Sequence, residues 1–517
     1  MITLTANEIC QACSGDLRAG AAAALVDSVS TDTRSDLTSS LFIALKGDNF
    51  DGGDFAEEAL ASGAMGVLAE RDAAGRLAVQ VAGANGNTPV VIAVDDSGEA
   101  LKDIATLVAS RSGATVVAIT GSTGKTSTKD ILAALLEGHV DAVSSRASFN
   151  NEVGVPLTLL AATKDTDVIV VEMGMQAQGE IAELCRISSP EVAIITNIGP
   201  AHLQYAGSLE NIARGKAEIA QGLPRGGKLV APYGEKLLEP HLAGLDVETV
   251  TFGFDDAADI YPVFHEHMDD GRLHCVVSCC GHDLELVFNF AAHHHLQNAM
   301  AAIGAYYQLG LPLEDIPEAV AGINLSSLRG ELIDLDNGVT LLNDCYNANP
   351  LSMRSSLEYL ASVGTGRRTV AVLGDMGELG PQALDYHRQV GRDVLELGID
   401  CLIAVGEQSR GYLEEAVEDI LYGESTGEND GDKYGESFGD NYYFAERDEA
   451  LRGVPGLIRP GDVVLVKASR FMKLEQLSNL LIEAGSGDTT PDAAANPDGL
   501  PEVFPGDSPE GEPAREN

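Results

Sequence analysis

The stretch that most directly indicates chemistry is VVAITGSTGKTSTKDILAALL, residues 116–136. Its β-branched start predicts a strand, a glycine-rich turn follows at once, and the periodic apolar residues after the turn predict an amphipathic helix. Backbone N–H groups of such a turn, with the positive end of a helix behind them, can surround a polyphosphate. Lys125 supplies a mobile cation for the β- and γ-phosphates, and the Thr126 hydroxyl can reach Mg²⁺. The predicted nucleotide-binding run is Thr120, Gly121, Ser122, Thr123, Gly124, Lys125, Thr126 and Ser127.

This loop is shorter than the usual Walker form, which needs a glycine where Ile119 stands. A chance glycine-rich turn is the alternative, but the strand–loop–helix context favours nucleotide binding. Glu172 ends the apolar run VIVVEMG and is a candidate Mg²⁺ ligand beside the γ-phosphate; a cap or a solvated strand end is its other interpretation. His202, in NIGPAH, is a candidate second metal ligand, although isolated histidines usually pack or lie on the surface.

These residues need strands and helices to position them, and the sequence alternates the two. Apolar runs separated by helical stretches are typical of parallel sheets covered on both faces, so we predict an α/β protein. Helices are predicted at 54–64 and 95–112, with domain boundaries near 112 and 325. The predicted strands lie within LFIAL (41–45), VVIAV (90–94), TVVAIT (115–120), DVIVVEMG (167–174), VAIITNIG (192–199), TLLNDCYN (340–347), TVAVLGDM (369–376), CLIAVG (401–406) and DVVLVKAS (462–469).

Length and charge limit the class of protein. A chain of 517 residues predicts about three domains. A net charge of −46 argues against a nucleic-acid or anionic-membrane binder. The chain has neither an apolar run long enough to span a membrane nor a secretory signal, so we expect a soluble, cytoplasmic protein.

The remaining features of the sequence are its cysteines and two acidic segments. The spacing of Cys10 and Cys13, or of Cys275, Cys279 and Cys280, gives only an incomplete zinc pattern, so we expect reduced, buried thiols. Residues 422–440 are predicted to form a solvated loop, and 485–517 a disordered acidic tail.

Several motifs together resemble the Mur ligase family of ATP-dependent, amide-bond-forming enzymes of peptidoglycan synthesis. The similarity extends from about residue 28 to residue 480, and the shortened phosphate loop is the family's own variant. The YNANP run is typical of one branch, whereas a sister branch carries a DDYAH-like run at this place. The motifs are TGSTGKTST (120–128), NNEVGVPLTLL (150–160), VEMGM (171–175), TNIGPAHL (196–203), YNANPLSM (346–353), GDMGELG (374–380) and VKASRFMKLE (466–475).

The resemblance implies three domains: a UDP-sugar (acceptor) binding domain at 1–112, a central P-loop ATPase domain with a parallel sheet at 113–325, and a Rossmann-like C-terminal ligase domain at 326–484. It also implies a mechanism in which ATP phosphorylates a carboxylate and an amine attacks the acyl phosphate. Two Mg²⁺ ions and several cationic side chains must offset the repulsion between ATP and the carboxylate, which are both anions.

The resemblance further assigns roles at the reaction centre. Lys216, in IARGKAEIA, matches a lysine that the family carbamylates with CO₂ or bicarbonate; on its own it would be a surface lysine of a helix. The candidate catalytic residues are Lys125, Glu172, His202 and Lys216, and the candidate metal ligands are Thr126, Glu172, His202 and carbamylated Lys216.

Further nucleotide contacts are implied outside the phosphate loop. Asn298 would read adenine, Arg329 would reach the phosphates, Asp344 would accept ribose hydroxyls, and Tyr346 and Asn347 would lie beside the nucleotide. Without the resemblance, Arg329 and Asp344 would be a surface charge and a turn residue. The side chains of His293–His295 point to different faces of a helix, so we assign them to the approach of this site rather than to a metal.

The remaining implied contacts concern the two other substrates. The uridine-diphosphate pocket would be lined by Thr31, Asp32, Thr33, Arg34 and Lys46. Asn150, Asn151 and Glu152 would line the acceptor groove, and Lys467, Ser469 and Arg470 would lie near the incoming amino-acid substrate.

The expected reaction joins D-alanyl-D-alanine to UDP-N-acetylmuramoyl-tripeptide, with ATP and Mg²⁺, giving UDP-N-acetylmuramoyl-pentapeptide, ADP and phosphate. We expect a monomer with no nucleic-acid or membrane partner. Two alternatives stay open at this point: a related ligase that adds a single amino acid, and a P-loop NTPase switch without ligation.

Overall fold

The computed structural model describes residues 1–47, 50–81, 88–146, 148–268, 271–290, 292–416, 436–438 and 440–485. The predicted acidic loop and acidic tail lie outside the described residues, apart from 436–438, 440 and Gly485. The loop prediction is wrong for residues 436–438, which form a strand, and Gly485 ends a helix instead of starting the tail. The described chain divides into a smaller compact unit, built from Met1–Ala114 and Glu152–Asp167, and a larger one, built from Thr115–Asn151 and residues 168–485.

The smaller unit is an α/β layer structure around one five-stranded sheet. The sheet has the order β2-β7-β6-β5-β4, parallel except for β2, and β1 and β3 form a separate antiparallel pair. The elements are β1 Leu4–Thr5, α1 Ala6–Ala12, β2 Asp16–Ala19, β3 Leu25–Val26, β4 Val29–Ser30, β5 Leu41–Ile43, α2 Ala56–Ala61, β6 Gly66–Glu70, α3 Arg71–Val81, β7 Val90–Val94 and α4 Ser97–Ser112; the helix Gly154–Leu160 belongs to the same unit.

The first sheet of the larger unit has nine strands in the order β16-β15-β14-β13-β12-β11-β8-β10-β9. From β9 to β14 the neighbours are parallel, and β14, β15 and β16 continue as an antiparallel meander. The elements are β8 Thr115–Thr120, α5 Lys125–Leu136, β9 Ala142–Ser144, β10 Val168–Glu172, α7 Glu180–Ser188, β11 Val192–Ile195, α8 Leu203–Ala206, α9 Leu209–Gln221, β12 Gly227–Pro232, α10 Glu239–Leu242, β13 Val247–Phe252, β14 Ile260–His267, β15 Leu273–Cys279, β16 His282–Phe288, α11 His293–Gln308 and α12 Ile316–Ala319. The helix Gly154–Leu160 of the smaller unit is α6 in chain order.

The second sheet of the larger unit has seven strands in the order β17-β18-β23-β19-β20-β22-β21, parallel except at its two edges. Apolar clusters cover both of its faces, as expected for crossovers that place helices on each side. The elements are β17 Glu331–Asp334, β18 Thr340–Asn343, α13 Pro350–Val363, β19 Thr369–Gly374, α14 Ala383–Glu396, β20 Cys401–Val405, α15 Arg410–Ala416, β21 Glu436–Phe438, β22 Asn441–Phe444, α16 Arg447–Gly453, β23 Val463–Lys467 and α17 Glu475–Gly485.

The α/β prediction is confirmed, and each predicted strand segment contains an observed strand. The helix predicted at 54–64 is shorter, because a 3₁₀ turn (Gly52–Phe55) precedes α2 and Gly63, with φ of 100°, follows it. The three sheets lie within the predicted domains 1–112, 113–325 and 326–484, but packing groups the second and third sheets in one unit. The boundaries therefore stay a prediction.

All the cysteines, including Cys10 and Cys13, are free thiols. In the described part of the chain no helix combines the length and apolar character that crossing a bilayer requires.

Gly391, in helix α14, offers a test of how the helices pack beside the seven-stranded sheet. A Cβ there would stand 2.1 Å from the carbonyl oxygen of Tyr412, which follows from the close approach of α14 and α15. Gly→Ala in an open helix stabilises by roughly 0.5–1 kcal/mol, but overpacking costs about 1–3 kcal/mol. We expect Gly391→Ala to lower the urea midpoint, whereas Gly456→Ala, with no atom within 4 Å of its Cβ, should leave it nearly unchanged. Equal midpoints for the two variants would contradict this packing.

Candidate active site

The phosphate loop connects the end of β8 to the start of α5, and two of its glycines permit close approach. A Cβ on Gly121 would stand 1.7 Å from Oγ1 of Thr196, and one on Gly124 would stand 2.2 Å from Oδ1 of Asn298. Gly124 also has φ of 78°, which favours glycine. The loop therefore leaves room on one side for the Asn298 amide and on the other for the segment after β11.

That segment, residues 196–199, is hydrogen-bonded to the phosphate loop. The Thr123 amide donates to Oδ1 of Asn197 at 3.0 Å, and the Ser122 hydroxyl donates to the Gly199 carbonyl at 2.8 Å. Sequence reasoning gave Asn197 no role. Its signal was its place at the carboxyl end of β11, next to β8 in the sheet, where loops of parallel sheets meet.

Glu172 ends β10 beside the phosphate loop and is 1% exposed. Its Oε2 accepts a hydrogen bond from the Thr126 hydroxyl at 2.7 Å, and its Oε1 accepts one from the Asn150 amide at 2.9 Å. The interpretation of Glu172 as a solvated strand end is wrong. Among the described residues no lysine or arginine forms an ion pair with this carboxylate, and its side-chain hydrogen bonds come from neutral donors.

The oxygen atoms at this place fit Mg²⁺, a hard cation that prefers carboxylate, hydroxyl and phosphate oxygens. Within the described ranges, no three His, Cys, Asp or Glu side chains are grouped as a metal site. An Mg²⁺ ion here would therefore depend on Glu172, the Thr126 hydroxyl, phosphate oxygens and water, which is how Mg²⁺ is commonly held.

Lys125 lies close to this carboxylate, and Lys216 lies close to Lys125. Lys125 donates from Nζ to the Gly121 carbonyl at 2.8 Å. Burial lowers its pKa, and Arg329 lowers it further while Glu172 raises it. Lys216 is 2% exposed, and burial followed by the charge of Lys125 holds its pKa well below the ordinary value. The site thus brings basic side chains together in a protein of strongly negative net charge.

The surface position expected for Lys216 from sequence alone is wrong, and the reason is helical spacing. Lys216 stands four residues after Ile212 and four before Ala220, on the buried stripe of α9. In the described chain, no carboxylate or carbonyl partners its Nζ. Burial of an amine without a partner favours its neutral form, which is the nucleophilic form.

His202 begins α8 with φ of 56°, a conformation that is uncommon for a residue with a side chain. Its Nδ1 lies 2.5 Å from Oε2 of Glu378, which has φ of 62°. Such backbone conformations cost about 1–3 kcal/mol each and persist where surrounding contacts enforce them. In the described residues, His202 makes no hydrogen bond to Thr126, Glu172 or Lys216. It therefore lies close to the 196–199 segment in the chain without being hydrogen-bonded to these three side chains.

Arg329 and Tyr346 meet beside the phosphate site. The Arg329 guanidinium lies 4.0 Å above the Tyr346 ring, and its Nη2 donates to the Ser148 hydroxyl at 3.1 Å. Arg470 lies 5.8 Å from the same ring centroid. The Arg329 guanidinium lies close enough to Lys125 for its positive charge to lower the pKa of that lysine.

Asp344 and Lys467, to which the sequence gave separate roles, form one buried ion pair. Lys467 Nζ donates to Asp344 Oδ2 at 2.7 Å and to the Asn347 carbonyl at 3.1 Å. Asp344 Oδ2 also accepts from the Ser356 hydroxyl at 2.6 Å. Asp344 is therefore more than a turn residue, and Lys467 holds the run Asp344–Asn347 in place.

The histidine triplet at the start of α11 is spread over several faces, as predicted. His293 contacts His265 and His267, with ring centroids 4.9 and 5.7 Å away. His295 is buried against Phe290, and burial holds its pKa well below the ordinary value. Burial lowers the pKa of His294 to about 3.

A cavity of about 340 Å³ lies between the start of α8 and the loop that follows β19. Gly377 donates its amide to the Ser469 hydroxyl at 2.8 Å, and Phe471, 61% exposed, forms part of the wall. Burial raises the pKa of Asp375, which accepts the Ser409 amide at 2.7 Å. The lining residues are Gln204, Asp375, Met376, Gly377, Glu378, Leu379, Gly380, Pro381, Ala383, Gln408 and Phe471.

In the smaller unit, the candidate uridine-diphosphate residues follow two adjacent parallel strands, β4 and β5. Arg34 pairs with Asp32 at 2.9 Å, and the turn from Thr31 to Thr33 is partly buried. Lys46 pairs with Glu70 at 3.2 Å, and that carboxylate raises the pKa of Lys46. Both cations thus lie at the carboxyl edge of one sheet, where ligands of α/β folds bind.

The other acceptor candidates, Asn151 and Glu152, are exposed. They follow Asn150, whose amide is committed to Glu172.

Comparison with known proteins places this fold and site. The Mur ligase middle domain matches residues 119–306, and the Mur ligase glutamate ligase domain matches residues 328–470. The chain is 34% identical to the UDP-N-acetylmuramoyl-tripeptide–D-alanyl-D-alanine ligase of Bacillus subtilis (strain 168), covering 89% of this chain and 94% of the relative. It is 32% identical to the enzyme of the same name from Escherichia coli (strain K12), covering 94% of this chain and 100% of the relative.

Among solved structures, the chain resembles MurF from Acinetobacter baumannii, with a TM-score of 0.79 and 28% identity over 93% of this chain and 99% of that one. The extent of these matches, over a shortened phosphate loop backed by a buried carboxylate, shows that the chain belongs to the Mur ligase family.

Proposed function

We propose that this protein is an ATP-dependent ligase that joins D-alanyl-D-alanine to UDP-N-acetylmuramoyl-tripeptide through an acyl phosphate. The observation that carries the proposal is the set of charges around the phosphate loop. Glu172 is a buried carboxylate hydrogen-bonded to Thr126, and Lys125 and buried Lys216 lie close by. The names of the relatives from Bacillus subtilis and Escherichia coli support the choice of substrates.

The phosphate loop and its neighbours would hold ATP. Amides at the start of α5, Lys125 and Arg329 would bind the phosphates, and the Asn298 amide against Gly124 would contact the base. Asp344, fixed by Lys467, would accept ribose hydroxyls, with Tyr346 and Asn347 alongside. Bound Mg²⁺ would supply the charge neutralisation that lets a carboxylate approach the γ-phosphate.

Thr126, Glu172, His202 and a carbamylated Lys216 would hold the metal ions. The neutral Lys216 amine would attack CO₂, forming an N–C bond and releasing one proton, and the product carries carboxylate-like oxygens. Its burial supports this step, because only an unprotonated amine reacts. Acidification charges the amine, so the carbamate would be lost as pH falls.

The cavity beside Ser469 is the proposed place for D-alanyl-D-alanine. About 340 Å³ is enough for a dipeptide, and Phe471 offers an apolar wall to its methyl groups. Arg470 and Ser469 lie at the same turn, where a carboxylate could be bound. Thr31–Arg34 and Lys46 would bind the uridine diphosphate of the acceptor, and Asn150–Glu152 its peptide end.

The reaction is tested by supplying the purified protein with Mg²⁺, ATP, bicarbonate and UDP-N-acetylmuramoyl-tripeptide, and measuring phosphate release and pentapeptide by mass spectrometry. Product should form with D-alanyl-D-alanine. Product with a single amino acid instead would identify a related ligase, and ATP hydrolysis that needs no acceptor would identify an NTPase switch.

Lys216→Ala should abolish ligation, because the metal site would lose the carbamate oxygens. We expect kcat to fall by at least about 100-fold, and short carboxylic acids such as formate or acetate to restore part of it. The measurement is the initial rate of ADP formation with and without the added carboxylate.

Lys236→Ala is the matched control, since Lys236 is an exposed lysine of the same unit. It should keep the wild-type rate. Full activity of Lys216→Ala without added carboxylate would refute the carbamate assignment.

Phe471→Ala should raise the KM for D-alanyl-D-alanine by about tenfold, because an apolar wall of the proposed pocket is lost, while the KM for ATP stays unchanged. Steady-state kinetics with each substrate varied in turn give both constants. Phe264→Ala removes a similarly exposed ring from β14 and should change neither. An equal effect of Phe471→Ala on both KM values would show that the ring acts elsewhere.

A further inference from the structure

Glu378 received no role from the sequence, yet it makes a direct contact with His202. Its Oε2 lies 2.5 Å from His202 Nδ1, and its carbonyl accepts the Gln204 amide at 2.9 Å. A Cβ on Gly380 would stand 3.2 Å from the Cα of Gln204. The loop after β19 of the seven-stranded sheet is thus packed against the loop after β11 of the nine-stranded sheet.

The contact is built at a structural cost on both sides. His202 and Glu378 each have positive φ, 56° and 62°, although neither is glycine. His202 is also tied to the phosphate loop, because Asn197 and Gly199 of the same loop bind Thr123 and Ser122. A continuous path of hydrogen-bonded groups therefore runs from the phosphate loop through the 196–202 segment to Glu378.

We propose that Glu378 is a positioning residue that sets the orientation and tautomer of His202. By accepting the Nδ1–H, its carboxylate leaves the Nε2 lone pair available to a metal ion. A histidine that binds a metal commonly donates its other ring N–H to a carboxylate, which fixes the ring and increases its basicity. The inference rests on the proposed function, in which His202 serves one of two Mg²⁺ ions.

The location of Glu378 gives this contact a further consequence. Glu378 also lines the 340 Å³ cavity proposed for the dipeptide. His202 is held in this way only while the loops of the two sheets are packed together. Completion of the metal site is thereby coupled to the docking of the sheet that carries the dipeptide pocket.

The test uses the full-length protein with Mn²⁺ as the probe and a non-hydrolysable ATP analogue. Titrations followed by electron paramagnetic resonance should show two bound Mn²⁺ ions in the wild type. Glu378→Ala should weaken the second by about 10- to 100-fold. Nitrogen-15 NMR of labelled histidine should show the Nδ1–H tautomer of His202 in the wild type and its loss in Glu378→Ala.

Two further variants separate positioning from a general structural effect. Glu378→Gln keeps the volume and an accepting carbonyl, so it should retain Mn²⁺ affinity between those of the wild type and Glu378→Ala. Glu407→Gln changes an exposed carboxylate of the same sheet and should leave Mn²⁺ binding unchanged. In a His202→Ala background, Glu378→Ala should cause no additional loss, because the two residues act through one ring.

The inference is overturned if Glu378→Ala leaves the tautomer and the second Mn²⁺ affinity unchanged, or if its effect adds fully to that of His202→Ala. These readouts do not depend on turnover. A wild-type protein that binds two Mn²⁺ ions but forms no pentapeptide would refute the proposed function while leaving the inference standing.

Discussion

The structure of the candidate site depends on one buried charge, the carboxylate of Glu172. Removing a carboxylate from water is costly unless hydrogen bonds or a cation compensate it. Here Thr126 and Asn150 supply hydrogen bonds, and no ion pair is formed in the described chain. The remaining demand for positive charge is what makes this point, next to the phosphate loop, suited to a divalent cation.

Burial lowers the pKa of both lysines, but their charged neighbours differ. At Lys125 the nearby carboxylate of Glu172 partly offsets this shift, which suits a group that binds phosphates. At Lys216 the charge of Lys125 lowers the pKa further, and no acid of the described chain partners the amine, so its neutral form is favoured. Two residues of the same type, on α5 and α9, are thereby prepared for different chemistry by their surroundings.

The larger unit brings these groups to the same place because the loops of its two sheets lie against each other. Glu378 reaches His202, and Arg329 reaches Ser148, across the boundary predicted near residue 325. A ligase must bring ATP, an acyl acceptor and an amine together and keep water away from a reactive acyl phosphate. Contacts of this kind provide a physical basis for assembling the site only when both sheets are in position.

The sequence by itself determined the strand segments, the phosphate loop and the position of Glu172 at a strand end, because these are local patterns of apolar period and glycine placement. It also carried the spacing that buries Lys216, on the stripe with Ile212 and Ala220. Only the tertiary structure decided that Asp344 and Lys467 form one ion pair and that Glu378 meets His202. Those pairs are separated by 123 and 176 residues, and no local pattern specifies which distant side chains the packing of two sheets will bring together.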